Sequence, residues 1–248
     1  MKFPVALQPY TVRDELARDY LGTLSRIAEI GYKGVEIGPP PAGISIDAFK
    51  QHLERVGLQV IGTHAPLAQL TGDLDALVAY LHEVGGSYLA LSHRFASRQE
   101  VLDSARQFDQ IGARCRERGV QFLYHNHNWE FTRFDGEYAY DILLQATDPE
   151  LLKAELDTYW VQRGGADPVE YLRRLHGRCP LLHIKDMEPG DEQFFAEVGE
   201  GVLDWPAIFR EAEAAGTEWL VVEQDLSRRP VLESIAISYR NLQAMGVI

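Results

Sequence analysis

Short apolar, β-branched runs alternate along this chain with longer stretches in which apolar residues recur every three or four positions. The short runs predict strands near Val5–Gln8, Gly34–Ile37, Gln59–Thr63, Tyr88–Leu91, Gln121–His125, Lys153–Leu156, Leu181–Lys185 and Leu220–Glu223. Helical patterns fill roughly 14–31, 46–56, 72–84, 97–118, 137–146, 166–176, 204–215 and 229–245. A strand followed each time by a helix implies parallel pairing through right-handed crossovers. Eight such units are the number that closes an α/β (β/α)8 TIM barrel instead of leaving an open sheet. Gly31, Gly57 and Gly119 stand where left-handed caps would end helices, and Asp204 before Trp205-Pro206 reads as a helix start. The only proline run, Pro39-Pro40-Pro41, falls between a strand and a helix, and no linker divides residues 1–248, so one domain is expected.

Composition narrows the classes of function. With 46% hydrophobic and 25% charged residues, the chain has the make-up of an ordinary globular protein with a large core. A net charge of −13, without a run of basic residues, argues against a nucleic-acid partner. No apolar stretch is long enough for a membrane span, and the N-terminus carries no apolar leader segment. Two cysteines, Cys115 and Cys179, suit neither a disulfide framework nor a thiolate zinc site, so a reduced, cytoplasmic location is expected.

In a barrel of this kind chemistry sits where strands end. Five of the eight histidines (His64, His93, His125, His127 and His183) fall at or just past a predicted strand end. His52, His82 and His176 lie within helical patterns, where a solvated position is expected. Glu36, Asp157, Asp186 and Glu223 also close strands, as do Gln8 and Tyr10 after the first and Trp160 after the sixth. Side chains alternate along a strand, so Leu123, His125 and His127 share one face, Glu155 and Asp157 another, and His183 and Lys185 a third. Asp157, His183 and Glu223 then converge from three neighbouring strands. One imidazole with carboxylates suits Mn²⁺, Mg²⁺, Co²⁺ or a similar ion better than a closed thiolate site. The competing reading is a buried ion-pair network of Asp157, His183 and Lys185.

At these residues the chain resembles the xylose-isomerase-like barrel superfamily, which includes sugar-phosphate isomerase/epimerase-type proteins and endonuclease IV. The resemblance is carried by Tyr124-His-Asn-His127 with Glu130, Leu156-Asp157-Thr-Tyr-Trp160, His183-Ile-Lys-Asp186 and Val222-Glu223-Gln-Asp225, and spans nearly the whole chain. It implies one divalent metal ion (Mn, Mg, Co or Zn) held by Glu, Asp, His and Glu from strands five to eight. Asp157, His183 and Glu223 match the last three. The strand-five position holds His125; either the nearest carboxylate, Glu130, folds back to complete the set, which is the expectation, or His125 takes the place itself.

The expected activity is that of a sugar isomerase or epimerase acting on a keto-sugar or related polyol by α-proton abstraction through an enediolate. A lyase or dehydratase on a keto-inositol or 3-keto-glycoside would share that step, and a non-catalytic sugar-binding barrel is the third reading. His127 or Glu223 is expected as base, His125 as partner acid and Lys185 as a cation for oxygen. Gln8, Tyr10, Glu36, His64 and Trp160 are expected to contact the sugar. Barrels of this kind often pair as homodimers.

Overall fold

The computed structural model describes residues 2–248. Eight parallel strands close into a barrel: β1 (Val5–Leu7), β2 (Gly34–Glu36), β3 (Gln59–His64), β4 (Tyr88–Leu91), β5 (Gln121–His125), β6 (Leu152–Asp157), β7 (Leu181–Ile184) and β8 (Trp219–Val222). Each strand pairs with its sequence neighbours, and β8 returns to β1 through Val5↔Leu220 and Leu7↔Val222. The helices surround this cylinder. Their buried faces and the outward faces of the strands form the main core, which includes Phe49, Phe108, Phe122, Tyr140 and Ile208. A second, smaller cluster fills the barrel itself: Ala6, Ile61, Tyr88, Ala90, Leu123, Leu181 and Val221. Their alternation along the strands sets which later residues point inward, because positions two apart share a face.

The helices follow the apolar periodicity, with breaks where side chains offer the backbone an alternative. The stretch 14–31 divides into Arg13–Arg18 and Tyr20–Ile30, because extended Asp19 accepts a hydrogen bond from Gly22 N and starts a second helix. Leu67–Gly72, a helix that the periodicity does not predict, precedes Leu74–Val84 and is divided from it at Asp73, whose side chain makes no capping hydrogen bond. Ser45, Ser97, Asp167 and Asp204 cap their helices through side-chain oxygens. Gly31, Gly57 and Gly119 all have positive φ, as expected of residues that turn a helix into the next strand. His52 departs from expectation. It lies on the buried face of Ile46–Val56 with Phe49 and Leu53, and its ring meets Ser25 Oγ at 3.1 Å.

Three further features at the strand ends went unpredicted. They are a short helix Thr158–Arg163 directly after β6, and two small hairpins, Arg133–Phe134 with Glu137–Tyr138 and Asp186–Met187 with Phe195–Ala196. No helix among the described residues is long and apolar enough to cross a membrane.

Candidate active site

A pocket of about 450 Å³ opens at the C-terminal ends of the strands. Gln8 and Tyr10 reach it from β1, His64 from β3, His125, His127 and Trp129 from β5, and Glu223 and Asp225 from β8. Strand register builds the ground beneath it. His125 is the Cα partner of Glu155, and Asp157 is the partner of His183, which in turn sits beside Val221. Inward alternation then turns all four polar side chains into the barrel above its apolar filling.

The result is a dense array of buried opposite charges. His183 Nδ1 lies 2.9 Å from Glu223 Oε2, and its Nε2 lies 3.0 Å from Glu36 Oε2 and 3.2 Å from Glu155 Oε1. His64 Nε2 bridges Glu36 Oε1 at 3.0 Å and Glu155 Oε2 at 2.8 Å. His125 Nδ1 is 3.3 Å from Glu155 Oε2, and its Nε2 is 4.0 Å from Asp157 Oδ2. Lys185, almost wholly buried, places Nζ 2.7 Å from Glu223, 3.1 Å from Asp157 and 3.2 Å from Asp225.

Two overlapping sets of donor atoms, each within 4.8 Å of one another, can hold a metal ion: His125, Asp157, His183 and Glu223, and His64, His125, Glu155 and His183. Asp157 Oδ2, both Glu155 oxygens and His125 Nδ1 are buried without an aligned hydrogen bond. A carboxylate oxygen in that condition calls for a positive neighbour. Imidazole nitrogens and carboxylate oxygens together form a donor set suited to a borderline divalent cation. The residues therefore fit the ion that the sequence implies.

The charges respond to one another. Burial disfavours ionised Glu155, but His183 and His64 hold it well below the usual carboxylate range. Glu223 is likewise held down, against burial, by Lys185 and His183. Burial pushes Asp157 up to about 6 despite Lys185 nearby. Burial alone would lower His64, yet Glu36 and Glu155 raise it to about 10. His125 and His127 behave oppositely: burial, then neighbouring positive charge, lowers them to about 3 and about 2, so both are neutral. His127 also stacks on Trp129, with ring centroids 4.0 Å apart.

The expected ligands Asp157, His183 and Glu223 come together with His125, whereas Glu130 belongs to neither donor set. Glu130 lies in a turn at Trp129–Phe131 only three residues from His127, close enough to cap its own loop. Its Oε2 accepts from His127 N at 2.9 Å, and its Oε1 shares a hydrogen bond with the Tyr124 hydroxyl at 2.7 Å.

Among the expected sugar contacts, Gln8, Tyr10 and His64 line the pocket. Glu36 is 2% exposed, accepts from Gln8 Nε2 at 2.9 Å and borders an adjoining hollow with Gln8, Tyr10 and His64. Trp160 packs near His127 and Lys185 and is not among the residues lining the pocket. Asp186 serves the fold: its carboxylate accepts from the backbone of Met187, Gly199, Gly201 and Leu203 and from Trp205 Nε1. Glu155 and Asp225 were missed as site residues. The two-residue step back from Asp157 was the signal for Glu155, and the position two beyond Glu223 the signal for Asp225.

The sequence profile of the xylose isomerase-like TIM barrel family matches residues 24–242. Inosose dehydratase of Lacticaseibacillus casei is 23% identical over 235 residues, covering 79% of this chain and 78% of the relative. A sugar phosphate isomerase/epimerase from Parabacteroides distasonis superposes with a TM-score of 0.84 at 25% identity, covering 96% of this chain and 97% of that one. The IOLI protein, solved with a bound zinc atom, superposes at 0.77 with 15% identity, covering 99% of this chain and 98% of its own. Fold, strand-end cluster and profile agree, and the chain belongs to the xylose isomerase-like TIM barrel family.

Proposed function

We propose that this chain is a divalent-metal-dependent sugar isomerase or epimerase that moves a proton next to the carbonyl of a keto-sugar or related polyol. The carrying observation is the convergence of His125, Asp157, His183 and Glu223 beneath a pocket bordered by flat aromatic side chains. These four hold the ion in this reading, and the zinc atom of the IOLI protein, on the same fold, supports it. When bound, a divalent ion supplies Lewis acidity toward a carbonyl oxygen.

The chain's own groups do the rest. Lys185, buried beneath the pocket, is a fixed cation whose field favours negative charge developing on substrate oxygen as the α-proton leaves. Proton-handling groups stand on two walls of the pocket: neutral His127 from β5, and Glu223 with Asp225 from β8. Removal on one wall and return from the other inverts a centre, whereas return to the adjacent carbon isomerises. Tyr10 offers its ring to the sugar, and Trp129 borders the pocket with its edge, since His127 and Arg94 cover its faces.

Dehydration is the second reading. It is favoured by the inosose dehydratase relatives and by the Lys185–Asp225 pair, 3.2 Å apart, which can supply a proton to a departing hydroxyl.

Metal analysis of protein purified without added metal tests the ion. We expect one divalent ion per chain, kept in Glu130→Gln and lost in His125→Ala. Loss in Glu130→Gln with retention in His125→Ala would overturn the ligand set. Reaction in deuterated water tests the chemistry. Solvent deuterium in a product of unchanged formula means isomerisation, and a product lighter by one water means dehydration. Exchange falling roughly 100-fold or more in His127→Ala or Glu223→Gln is expected of a general base; undiminished exchange in both would remove these two from the mechanism.

A further inference from the structure

His125 and His183 each present two ring nitrogens, and the structure gives the two ends different neighbours. His183 Nδ1 faces Glu223 at 2.9 Å, and His125 Nε2 is the nitrogen nearer Asp157, at 4.0 Å. The opposite nitrogens meet Glu155: His183 Nε2 at 3.2 Å from Oε1 and His125 Nδ1 at 3.3 Å from Oε2. Glu36 Oε2 joins them 3.0 Å from His183 Nε2.

Glu155 is fully buried and is not among the residues lining the pocket, so it does not touch a substrate there. Among the described residues the ion pairs of its carboxylate are with imidazoles alone: His64, His125 and His183. A carboxylate so placed is costly unless ring N–H groups are turned toward it. A neutral imidazole carries one N–H, and the partner of that N–H decides which nitrogen keeps a lone pair.

We propose that Glu155 is a positioning residue. With Glu36 it draws the N–H of His183 to Nε2 and that of His125 to Nδ1. His183 Nδ1 and His125 Nε2 are thereby left as lone pairs for an ion shared with Asp157 and Glu223. This inference rests on the metal reading above, and it explains why inward carboxylates are spent on both Glu36 and Glu155 beneath the ligands. Glu155→Gln would replace a pure acceptor with an amide that also donates. A ring nitrogen facing the amide NH₂ must accept, which moves the ring proton to the nitrogen the ion needs.

Cobalt(II) is the probe. Affinity is measured by equilibrium dialysis on wild type, Glu155→Gln, Glu36→Gln and Asp157→Ala, with circular dichroism to check folding. Proton NMR of the cobalt-loaded proteins then reads the shifted, exchangeable N–H of each liganding imidazole. We expect Glu155→Gln to bind about 10–100-fold more weakly, with the N–H signal of the imidazole that faces the amide NH₂ changed. Glu36→Gln should weaken binding and change the His183 signal alone, so the inference stays testable if one variant misfolds.

Wild-type affinity and unchanged N–H signals in Glu155→Gln would overturn this inference while leaving the metal reading intact. Loss of binding in Glu155→Gln as complete as in Asp157→Ala would overturn it differently, by making Glu155 a ligand. Absence of cobalt binding in the wild type would overturn both.

Discussion

The Tyr124 hydroxyl has one proton and two acceptors in reach, His93 O at 2.6 Å and Glu130 Oε1 at 2.7 Å. The conflict disappears if Glu130 itself carries a proton: Glu130 then donates to Tyr124, and Tyr124 to His93 O. Burial supports that state by pushing Glu130 from an ordinary 4.5 up to about 7, against the hydrogen bonds it receives. Because the folded state holds this proton more tightly than the unfolded chain, the linked stabilisation is complete below pH 4.5 and is lost as pH rises through 7. Its size is on the order of 3 kcal/mol. Urea unfolding between pH 5 and 8.5 should therefore show a fall in wild-type stability that is flattened in Glu130→Gln. Parallel pH profiles for the two proteins would refute a protonated Glu130.

At this scale the sequence was informative about direction and less so about reach. Alternation correctly put His125, Asp157, His183 and Lys185 on inward faces. It could not say that Glu130, close along the chain, would be captured by Tyr124 and the backbone of His127. Nor could it say how deep Glu155 would lie, because depth depends on the stagger of neighbouring strands.

Among the elements, the segment after β7 does most to shape the site. Asp186 follows Lys185 directly and gathers five donors from Met187, Gly199, Gly201, Leu203 and Trp205 onto one fully buried carboxylate. A Cβ on Gly201 would lie 2.2 Å from Asp186 Oδ1, so the loop approaches this carboxylate as glycine and closes over it. Asp186→Ala would leave several of those donors buried and unpaired, at about 1–3 kcal/mol each where water does not reach them. We expect a loss of at least roughly 3 kcal/mol, measured by urea unfolding, with faster amide exchange confined first to 199–203. An unchanged midpoint would show that the loop stands without its anchor.

Elements with long, regular patterns were readable from the chain, and all eight barrel strands lie where β-branched runs predicted them. The break at Asp19 was not, since the apolar period continues across it and only a local change of backbone direction divides the helices, and the six-residue helix Leu67–Gly72 was missed because it is too short to express a period. The short hairpins and the Thr158–Arg163 helix were missed for a related reason. They hold too few residues to express a period, and their place is set by packing on the strand ends. His52 could have been read better: with Phe49 and Leu53 it forms the i, i+3, i+4 spacing of a buried helix face.

For the molecule as a whole, β1 and β5 lie four strands apart in either direction around the ring, so Tyr10 and Trp129 rise from opposite sides of the mouth. Below them the cylinder is filled. Tyr88 and Leu123 plug it with Ile61, Leu181 and Val221, and the Tyr88 hydroxyl donates to Glu218 at 2.7 Å. Among the described residues the vessel is closed at the bottom and open at the strand ends. Whatever reacts inside must back out the way it came before the next molecule can enter, so spent and fresh sugar compete for the same passage. Added product should raise the apparent KM and leave kcat alone in initial-rate measurements, and a fall in kcat at saturating substrate would point to a second way in.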